Sequence, residues 1–229
     1  MIKNIEMEIS GTYSRGVNFA KGCYNTEVVL EDIELNVGYY ALNISQGING
    51  ISKLDVIRSE ISGYAALNVW SDAEITFTDS KIFSENEYTV ENEGNFATIV
   101  INNALGDNGD GSTFRTDITF VRTELNAAAS STSTQNVINY RANTFGTVTF
   151  VDSRINGSGI GYAISIGSED VVVVVDESLI ISDNSEMEIL IEGTLELNGI
   201  INDNGKGSVT IGELTGNGYV TGSNVSAWA

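Results

Sequence analysis

The stretch Ile75-Thr-Phe-Thr-Asp-Ser-Lys-Ile82 contains the pattern that organises this chain, and Val148-Thr-Phe-Val-Asp-Ser-Arg-Ile155 repeats it. In both stretches the first, third and eighth positions are apolar and the sixth is Ser. Four other eight-residue copies keep the three apolar positions: Val28 to Leu35, Leu54 to Ile61, Ile118 to Leu125 and Val173 to Ile180. A degenerate copy opens the chain at Ile2 to Ile9. Successive clear copies begin 21 to 43 residues apart, a spacing that indicates a repeat architecture.

Apolar positions within each copy follow the geometry of a β-strand. The first and third positions lie on one face of a strand, the fourth to sixth form a bend, and the sixth and eighth continue after it. A further strand follows at a variable distance, as in Leu42-Asn-Ile44. Each copy therefore offers about three short strands without helical periodicity, which predicts a parallel β-solenoid. Equivalent residues would stack about 4.8 Å apart, with Phe77, Phe120 and Phe150 in an internal column.

The two quoted stretches resemble coils of the right-handed parallel β-helix of the pectate-lyase-like superfamily. The similarity covers about residues 2–192. The chain resembles a fragment of a bacterial cell-surface or adhesin-like protein. It implies an all-β, right-handed parallel β-helix of about 7–9 coils of three short strands each. The superfamily includes lyases, hydrolases, phage tailspikes and surface adhesins, so the resemblance implies no single activity.

We expect residues 1–229 to form one β-helix domain. Residues 1–192 would form regular coils, with loop insertions at 84–96, 103–116 and 126–136. Gly and Asn interrupt residues 193–229 more often, which predicts irregular C-terminal coils that cap the core. The 43 residues between Ile75 and Ile118 leave room for an additional coil between these two copies.

Composition limits the classes of partner. Eleven basic residues face 31 acidic ones, for a formal net charge of −20. Such a charge repels nucleic acid and anionic membranes, and it disfavours tight, unassisted binding of acidic polysaccharides. We therefore expect no nucleic acid partner. No stretch approaches the roughly 20 apolar residues of a membrane helix, so we also expect no membrane insertion. The abrupt start and end suggest a fragment without targeting signals, and the resemblance implies an extracellular or cell-surface location.

Charged and amide side chains also recur in rows. The fifth position alternates in sign along most of its length: Asp32, Arg58, Asp79, Arg122, Asp152 and Glu177. Opposite charges on neighbouring strands are stabilising and like charges are destabilising, so we interpret this row as a solvated, stabilising ladder. A second row, Asn18, Asn43, Asn68 and Asn139, predicts a ladder of amide hydrogen bonds.

Tyrosines recur in one turn and are the candidate ligand-binding residues. Gly38-Tyr-Tyr40, Gly63-Tyr64 and Gly161-Tyr162 are variants of the same turn, and Tyr88 lies in the first insertion. The candidates are Tyr39, Tyr40, Tyr64, Tyr88 and Tyr162. An exposed tyrosine row beside Asn and Ser suits sugar rings, because ring faces stack and hydroxyl groups hydrogen-bond. The alternative is that these tyrosines pack the corner of the fold.

Catalytic and metal-binding patterns are weak. The chain has no His, although hydrolases of the resembled superfamily combine clustered Asp residues with a His. Its lyases use an acidic Ca²⁺ cluster and a basic residue, which Asp79 and Asp152 with Arg122 or Arg154 could imitate, but the charge ladder already explains these residues. Residues 106–117 approximate a Ca²⁺ loop that has Gly at its first ligand position. We therefore predict no catalytic residues, no metal site and no cofactor, with Ca²⁺ as the alternative.

The resulting hypothesis is a non-catalytic, extracellular module of a larger surface protein that is adhesive or binds glycan. Its partner would be a glycan or a host or extracellular matrix surface. One alternative is a polysaccharide lyase or glycoside hydrolase. Another is a purely structural stalk or phage tail-fibre segment.

Overall fold

A computed structural model describes residues 1–46, 50–84, 97–102, 114–127, 135–156, 161–181, 188–203, 208–222 and 224–227. In these ranges the regular structure consists of nineteen β-strands. The strands are β1 (Ile2–Ile9), β2 (Arg15–Phe19), β3 (Glu27–Ile44), β4 (Ser52–Ile57), β5 (Glu60–Val69), β6 (Ala73–Thr78), β7 (Lys81–Ser84), β8 (Ala97–Ile101), β9 (Thr116–Val121), β10 (Glu124–Asn126), β11 (Asn136–Tyr140), β12 (Gly146–Asn156), β13 (Tyr162–Ile166), β14 (Val171–Ile181), β15 (Glu188–Leu197), β16 (Ile200–Asp203), β17 (Ser208–Thr215), β18 (Tyr219–Thr221) and β19 (Asn224–Ala227).

The strands form a single parallel sheet that closes on itself. Hydrogen-bonded neighbours lead from β3 through β4, β6, β9, β12, β14, β15, β13, β11, β8 and β5 back to β3. This path is an all-parallel barrel of eleven strands, and the other strands lie outside it. The expectation of a right-handed parallel β-helix with about 7–9 coils of three short strands is therefore wrong, and so is the assignment to the pectate-lyase-like superfamily.

Long, bent strands are the physical reason for this difference. The 18-residue strand β3 pairs with β4 along its first part and with β5 along the rest. Strand β15 likewise pairs with β13 along its first part and with β14 along its second. Backbone hydrogen bonding thus continues through bends where separate strands were expected. The spacing of apolar residues shows which side chains point inward, but it does not show whether the backbone ladder continues round the bend.

The register of the eight-residue pattern is confirmed. Ile75 pairs directly with Ile118, so no additional coil separates these two copies, and Ile118 pairs in turn with Val148. The Phe77, Phe120 and Phe150 rings are fully buried and stack at centroid distances of 5.6 and 5.3 Å. Stacks of this kind add to the stability that burial of each ring provides.

Two copies depart from the expected alignment. Ile2 pairs with Leu30 rather than with Val28, so the degenerate first copy is displaced by two residues. In β14 a shift after Asp176 pairs Ile155 with Ile181, and Ile181 occupies the core position expected of Ile180. An irregularity of one residue in a strand has this effect because successive side chains point to opposite faces.

The bend of each clear copy lies at its fifth position. All six fifth-position residues have a positive φ between 46° and 68°: Asp32, Arg58, Asp79, Arg122, Asp152 and Glu177. None of these residues is β-branched, as left-handed backbone requires. This conformation turns the strand and points the charged side chains toward solvent in one row.

The remaining expectations concern loops, the cap and membranes. The insertions at 84–96, 103–116 and 126–136 lie mostly outside the described residues. The expected boundary between residues 192 and 193 falls inside β15, which ends at Leu197. Within the described residues, no helix has the length and apolar character needed to cross a membrane.

Candidate functional site

A groove lined by aromatic and amide side chains lies across β2, β3 and β5, and we call it the aromatic groove. Its volume is about 420 Å³. Its lining residues are Tyr13, Arg15, Lys21, Tyr39, Tyr40, Asn43, Ser45, Gln46, Asn68 and Trp70. Aromatic rings with amide groups beside them are the surface on which a polar ring can both stack and hydrogen-bond.

Parallel pairing of the three strands brings these residues together. Arg15 of β2 pairs with Tyr40 of β3, and Asn18 pairs with Asn43, which in turn pairs with Asn68 of β5. Residues from three distant parts of the chain therefore lie in adjacent strands, about 4.8 Å apart. The inward side chains of the same strands, such as Ile44, are buried and hold the groove on the core.

The tyrosines of the groove have different exposures. Tyr39 of the groove and Tyr64, which is not among its lining residues, are only 5% and 6% exposed, and their rings stack in parallel at 5.4 Å. They pack with Ala65, Ala97 and Val100 in a second apolar cluster. Tyr40 is half-buried and stacks on Tyr39 at 3.9 Å, whereas Tyr13 is 73% exposed and meets Tyr39 edge to face at 5.4 Å. The buried pair supports the accessible rings of Tyr13 and Tyr40.

A continuous chain of side-chain amides, which we call the amide ladder, passes through the lining of the aromatic groove at Asn43 and Asn68. Arg141 donates to Asn102 Oδ1 (3.0 Å), and Asn102 Nδ2 donates to Asn68 Oδ1 (2.7 Å). The chain continues from Asn68 Nδ2 to Asn43 Oδ1 (2.7 Å) and from Asn43 Nδ2 to Asn18 Oδ1 (2.6 Å). Every amide therefore points its donor end toward Asn18.

The amide ladder differs from its sequence prediction at one end. Asn139 was expected to continue the row, but its strand neighbour is Val100, which has no amide. The buried Nδ2 of Asn139 accordingly has no hydrogen-bond partner. Asn102, just after β8, takes the place of Asn139 in the ladder. The sequence pattern missed Asn102 because it lies two residues after Val100, the residue that pairs with Asn68.

The charged residues of the aromatic groove are both basic. Arg15 and Lys21 are exposed, and no ion pair of either one occurs among the described residues. No lining residue is acidic, although the chain carries 31 Asp and Glu residues. The groove is thus locally basic on a strongly acidic protein.

The other tyrosines proposed from sequence lie elsewhere. Tyr162 is half-buried in β13 and does not line the aromatic groove; its backbone N–H donates to Asn136 Oδ1 at 2.8 Å. Tyr88 lies outside the described residues.

Sequence reasoning missed Tyr13 and Trp70. A signal for Tyr13 exists in Gly11-Thr-Tyr13, a longer variant of the Gly-Tyr turns. Trp70 follows Val69, which pairs with Ile44, so Trp70 lies beside Ser45. That position belongs to no repeated aromatic row and carries no signal in the sequence.

A second concave surface follows the bends, and we call it the charged groove. Its volume is about 730 Å³, and it is lined by Asp32, Ile33, Glu34, Arg58, Ser59, Glu60, Asp79, Ser80, Lys81, Arg122 and Glu124. Arg58 donates to both carboxylate oxygens of Asp32, from Nε and from an Nη, each at 2.9 Å. Arg122 does the same to Asp79 at 2.6 and 2.9 Å. The predicted charge ladder is confirmed at these two steps.

Ion pairing shifts the pKa values along the charged groove. The Arg58 and Arg122 hydrogen bonds lower the pKa of Asp32 and Asp79, respectively. Hydrogen bonds from Lys3 and Arg58 lower the pKa of Glu31. At the far end of the row, a hydrogen bond with Asp152 and its negative charge raise the pKa of Glu177. The alternation of charge thus ends in a like-charge step.

The remaining candidates for chemistry have structural partners. Asp117, the last residue of the stretch that approximates a Ca²⁺ loop, accepts hydrogen bonds from Arg115 Nε (2.8 Å) and from the Thr147 N–H (2.9 Å). Residues 106–113 of that loop lie outside the described residues. Among the residues that the structure covers, no three His, Cys, Asp or Glu side chains are grouped so as to hold a metal ion.

No protein family model, curated protein or solved structure matches this chain.

Proposed function

We propose that this protein is a non-catalytic glycan-binding module that acts outside the cell or on its surface. The observation that carries the proposal is the aromatic groove. Exposed Tyr13 and half-buried Tyr40 and Trp70 lie beside the amides of Asn43 and Asn68. Sugar rings offer apolar C–H faces and polar hydroxyl edges, and this combination of aromatic rings and amides complements both.

Rigidity supports the same function. Tyr39 is fixed between Tyr40 and Tyr64, and the amide ladder fixes Asn43 and Asn68. A surface that is ordered before the ligand arrives loses less conformational entropy on binding. The volume of about 420 Å³ fits a short oligosaccharide rather than a protein partner.

A glycan array followed by isothermal titration calorimetry tests this proposal. We expect binding to one or more glycans and a loss of at least about tenfold in affinity for Trp70→Ala, as for a buried aromatic contact. Tyr13→Ala should weaken the same binding without affecting folding, because Tyr13 is 73% exposed. The matched control is Tyr24→Ala, a tyrosine that is 71% exposed outside the groove, and it should bind as the unchanged protein does.

Two results would favour the other functions. A purely structural role, which the Arg58–Asp32 and Arg122–Asp79 ion pairs favour, predicts no binding to any glycan on the array. Release of unsaturated product from polygalacturonate in the presence of Ca²⁺ would instead indicate a lyase and overturn the non-catalytic proposal.

A further inference from the structure

We infer that the aromatic groove selects glycans with a single, terminal acidic sugar, and that Arg15 and Lys21 contact the anionic group. This inference rests on the proposed glycan-binding function and specifies its ligand. The shared chemistry is a carboxylate or sulfate on a terminal ring.

The first argument is the availability of the two basic side chains. Arg58, Lys81 and Arg122 of the charged groove all pair with carboxylates. Arg15 and Lys21 are exposed, and they form no ion pair within the described part of the chain. A guanidinium group is suited to bidentate contact with a carboxylate or sulfate, and the flexible Lys21 side chain can add a second charge.

The second argument is the direction of the amide ladder. It begins at the cation of Arg141 and passes through Asn102, Asn68 and Asn43 to Asn18, with every donor pointing the same way. Aligned amide dipoles place partial positive charge at the donor end, as in a helix, and hydrogen bonds in a chain polarise one another. The positive end lies at Asn18, which is in β2 with Arg15.

The third argument limits the ligand to one anionic group. The whole chain has a formal net charge of −20, which repels a long polyanion, whereas no acidic residue lines the groove itself. A single anionic group between Arg15 and Lys21 is attracted by these two basic side chains. The uncharged remainder of the glycan is not repelled by the negative charge of the protein. A polymer that is acidic at every residue would extend its other charges over acidic surface.

Paired ligands on one array test this inference. The array holds neutral oligosaccharides, the same oligosaccharides ending in one uronate, one sialate or one sulfated sugar, and oligogalacturonates of several residues. We expect the terminally acidic members to bind best, and the carboxylate and sulfate arms identify which anion is preferred. Raising the salt from 0.1 to 1 M shortens the Debye length from about 10 to about 3 Å, so the preference for acidic members should shrink while neutral binding changes little.

Matched variants connect the preference to the two residues. Arg15→Gln and Lys21→Gln should each weaken binding of the acidic glycan about threefold, and the double variant about tenfold, with less than a twofold change for its neutral counterpart. Arg154→Gln is the control, since Arg154 is an exposed cation outside the aromatic groove. All three positions are exposed, and a circular dichroism melt of each variant verifies folding.

The outcomes separate this inference from the proposed function. Equal binding of neutral and acidic members, no effect of the double variant, or tightest binding of oligogalacturonates would overturn the inference and leave glycan binding intact. If the unchanged protein binds no glycan at all, the proposed function and the inference both fail.

Discussion

The aromatic groove and the charged groove lie on the same closed sheet, but their polar side chains have different partners. In the charged groove Arg58 and Arg122 each hold a carboxylate of the neighbouring strand in two hydrogen bonds. In the aromatic groove Arg15 and Lys21 lie next to rings and amides and have no acidic neighbour in the lining. The arginines of the larger, charged groove are thus paired with carboxylates of the protein itself. The smaller, aromatic groove retains basic and aromatic side chains that can interact with a ligand.

The comparison shows why size alone is a poor guide to function. The charged groove has about 730 Å³ against about 420 Å³ for the aromatic groove, but a ligand would have to break ion pairs to bind there. Exposed ion pairs contribute little individually, and a row of them gains from mutual support. We therefore assign the charged groove to stability and the aromatic groove to binding, and four changes test this assignment.

The largest effect on stability is expected for Asn102→Ala, beneath the aromatic groove. Asn102 is 4% exposed and connects Arg141 to Asn68. Its removal leaves the buried Asn68 Oδ1 without its donor, which should cost about 1–3 kcal/mol of unfolding free energy. Urea denaturation measures this loss. Asn18→Ala, at the exposed end of the amide ladder, is the control; equal losses for the two variants would contradict the importance of the buried link.

A second test distinguishes the role of the charged groove in stability from the role of the aromatic groove in binding. Arg122→Gln removes the hydrogen-bond partner of Asp79. It also removes the positive charge that attracts Asp152 and Glu177, so that the acidic residues of the row are left to repel one another. We expect a lower melting temperature and unchanged glycan affinity, whereas Tyr13→Ala should lower the affinity and leave the melting temperature unchanged. A loss of glycan binding in Arg122→Gln would show that the charged groove takes part in recognition.

The charged groove should also give a defined dependence of stability on pH. Because the folded pKa of Asp32 and of Asp79 is lowered, their stabilising contribution is complete above the unfolded pKa of about 4 and is lost as the pH falls through the folded pKa. Glu177 has the opposite sign: its folded pKa is raised, so stability is lost as the pH rises through that value. Thermal melts between pH 2 and 7, with Arg122→Gln as the comparison, measure the acid limb, which should become shallower in the variant. An unchanged acid limb would contradict the role of the Arg122–Asp79 pair.

The smallest effect is expected from repairing the like-charge step. Glu177→Arg would extend the alternation that stops at Asp152, and Arg already occupies the same left-handed backbone conformation at two other fifth positions, Arg58 and Arg122. We expect a small rise in melting temperature at pH 7 that disappears at 1 M salt, where charge interactions are screened. Glu192→Arg, an exposed glutamate outside the ladder, controls for the change in net charge, and an equal rise in that variant would refute the local explanation.

Prediction from sequence succeeded where the signal was local or periodic. The inward rows of Leu, Ile, Val and Phe, and the alternating charges at the fifth position, follow from side-chain direction in strands. Tyr39 and Tyr40 were found from the recurring Gly-Tyr turn. The two displaced copies, at Ile2 and at Ile181, were missed because an irregularity of one or two residues leaves the apolar pattern almost unchanged.

The aromatic groove as a unit could not be predicted. Lys21, Tyr40 and Trp70 come from different parts of the chain and meet only because β2, β3 and β5 pair in parallel. The exchange of Asn139 for Asn102 in the amide ladder has the same origin, since the strand register decides which amides are within hydrogen-bonding distance. The fifth-position row identified Arg58 as a paired cation, but no sequence pattern showed that Arg15 would line a groove without acidic residues.

By itself, the sequence determined the all-β class, the residues of the core, and the order in which equivalent residues follow one another on neighbouring strands. These are consequences of local side-chain alternation and of like residues packing on like. Only the tertiary structure decided that the sheet closes into a barrel of eleven strands and that two basic residues face a cluster of rings. Closure depends on backbone hydrogen bonds that continue through the bends. In a chain without Pro every residue can make such bonds, so the order of side chains contains no record of them.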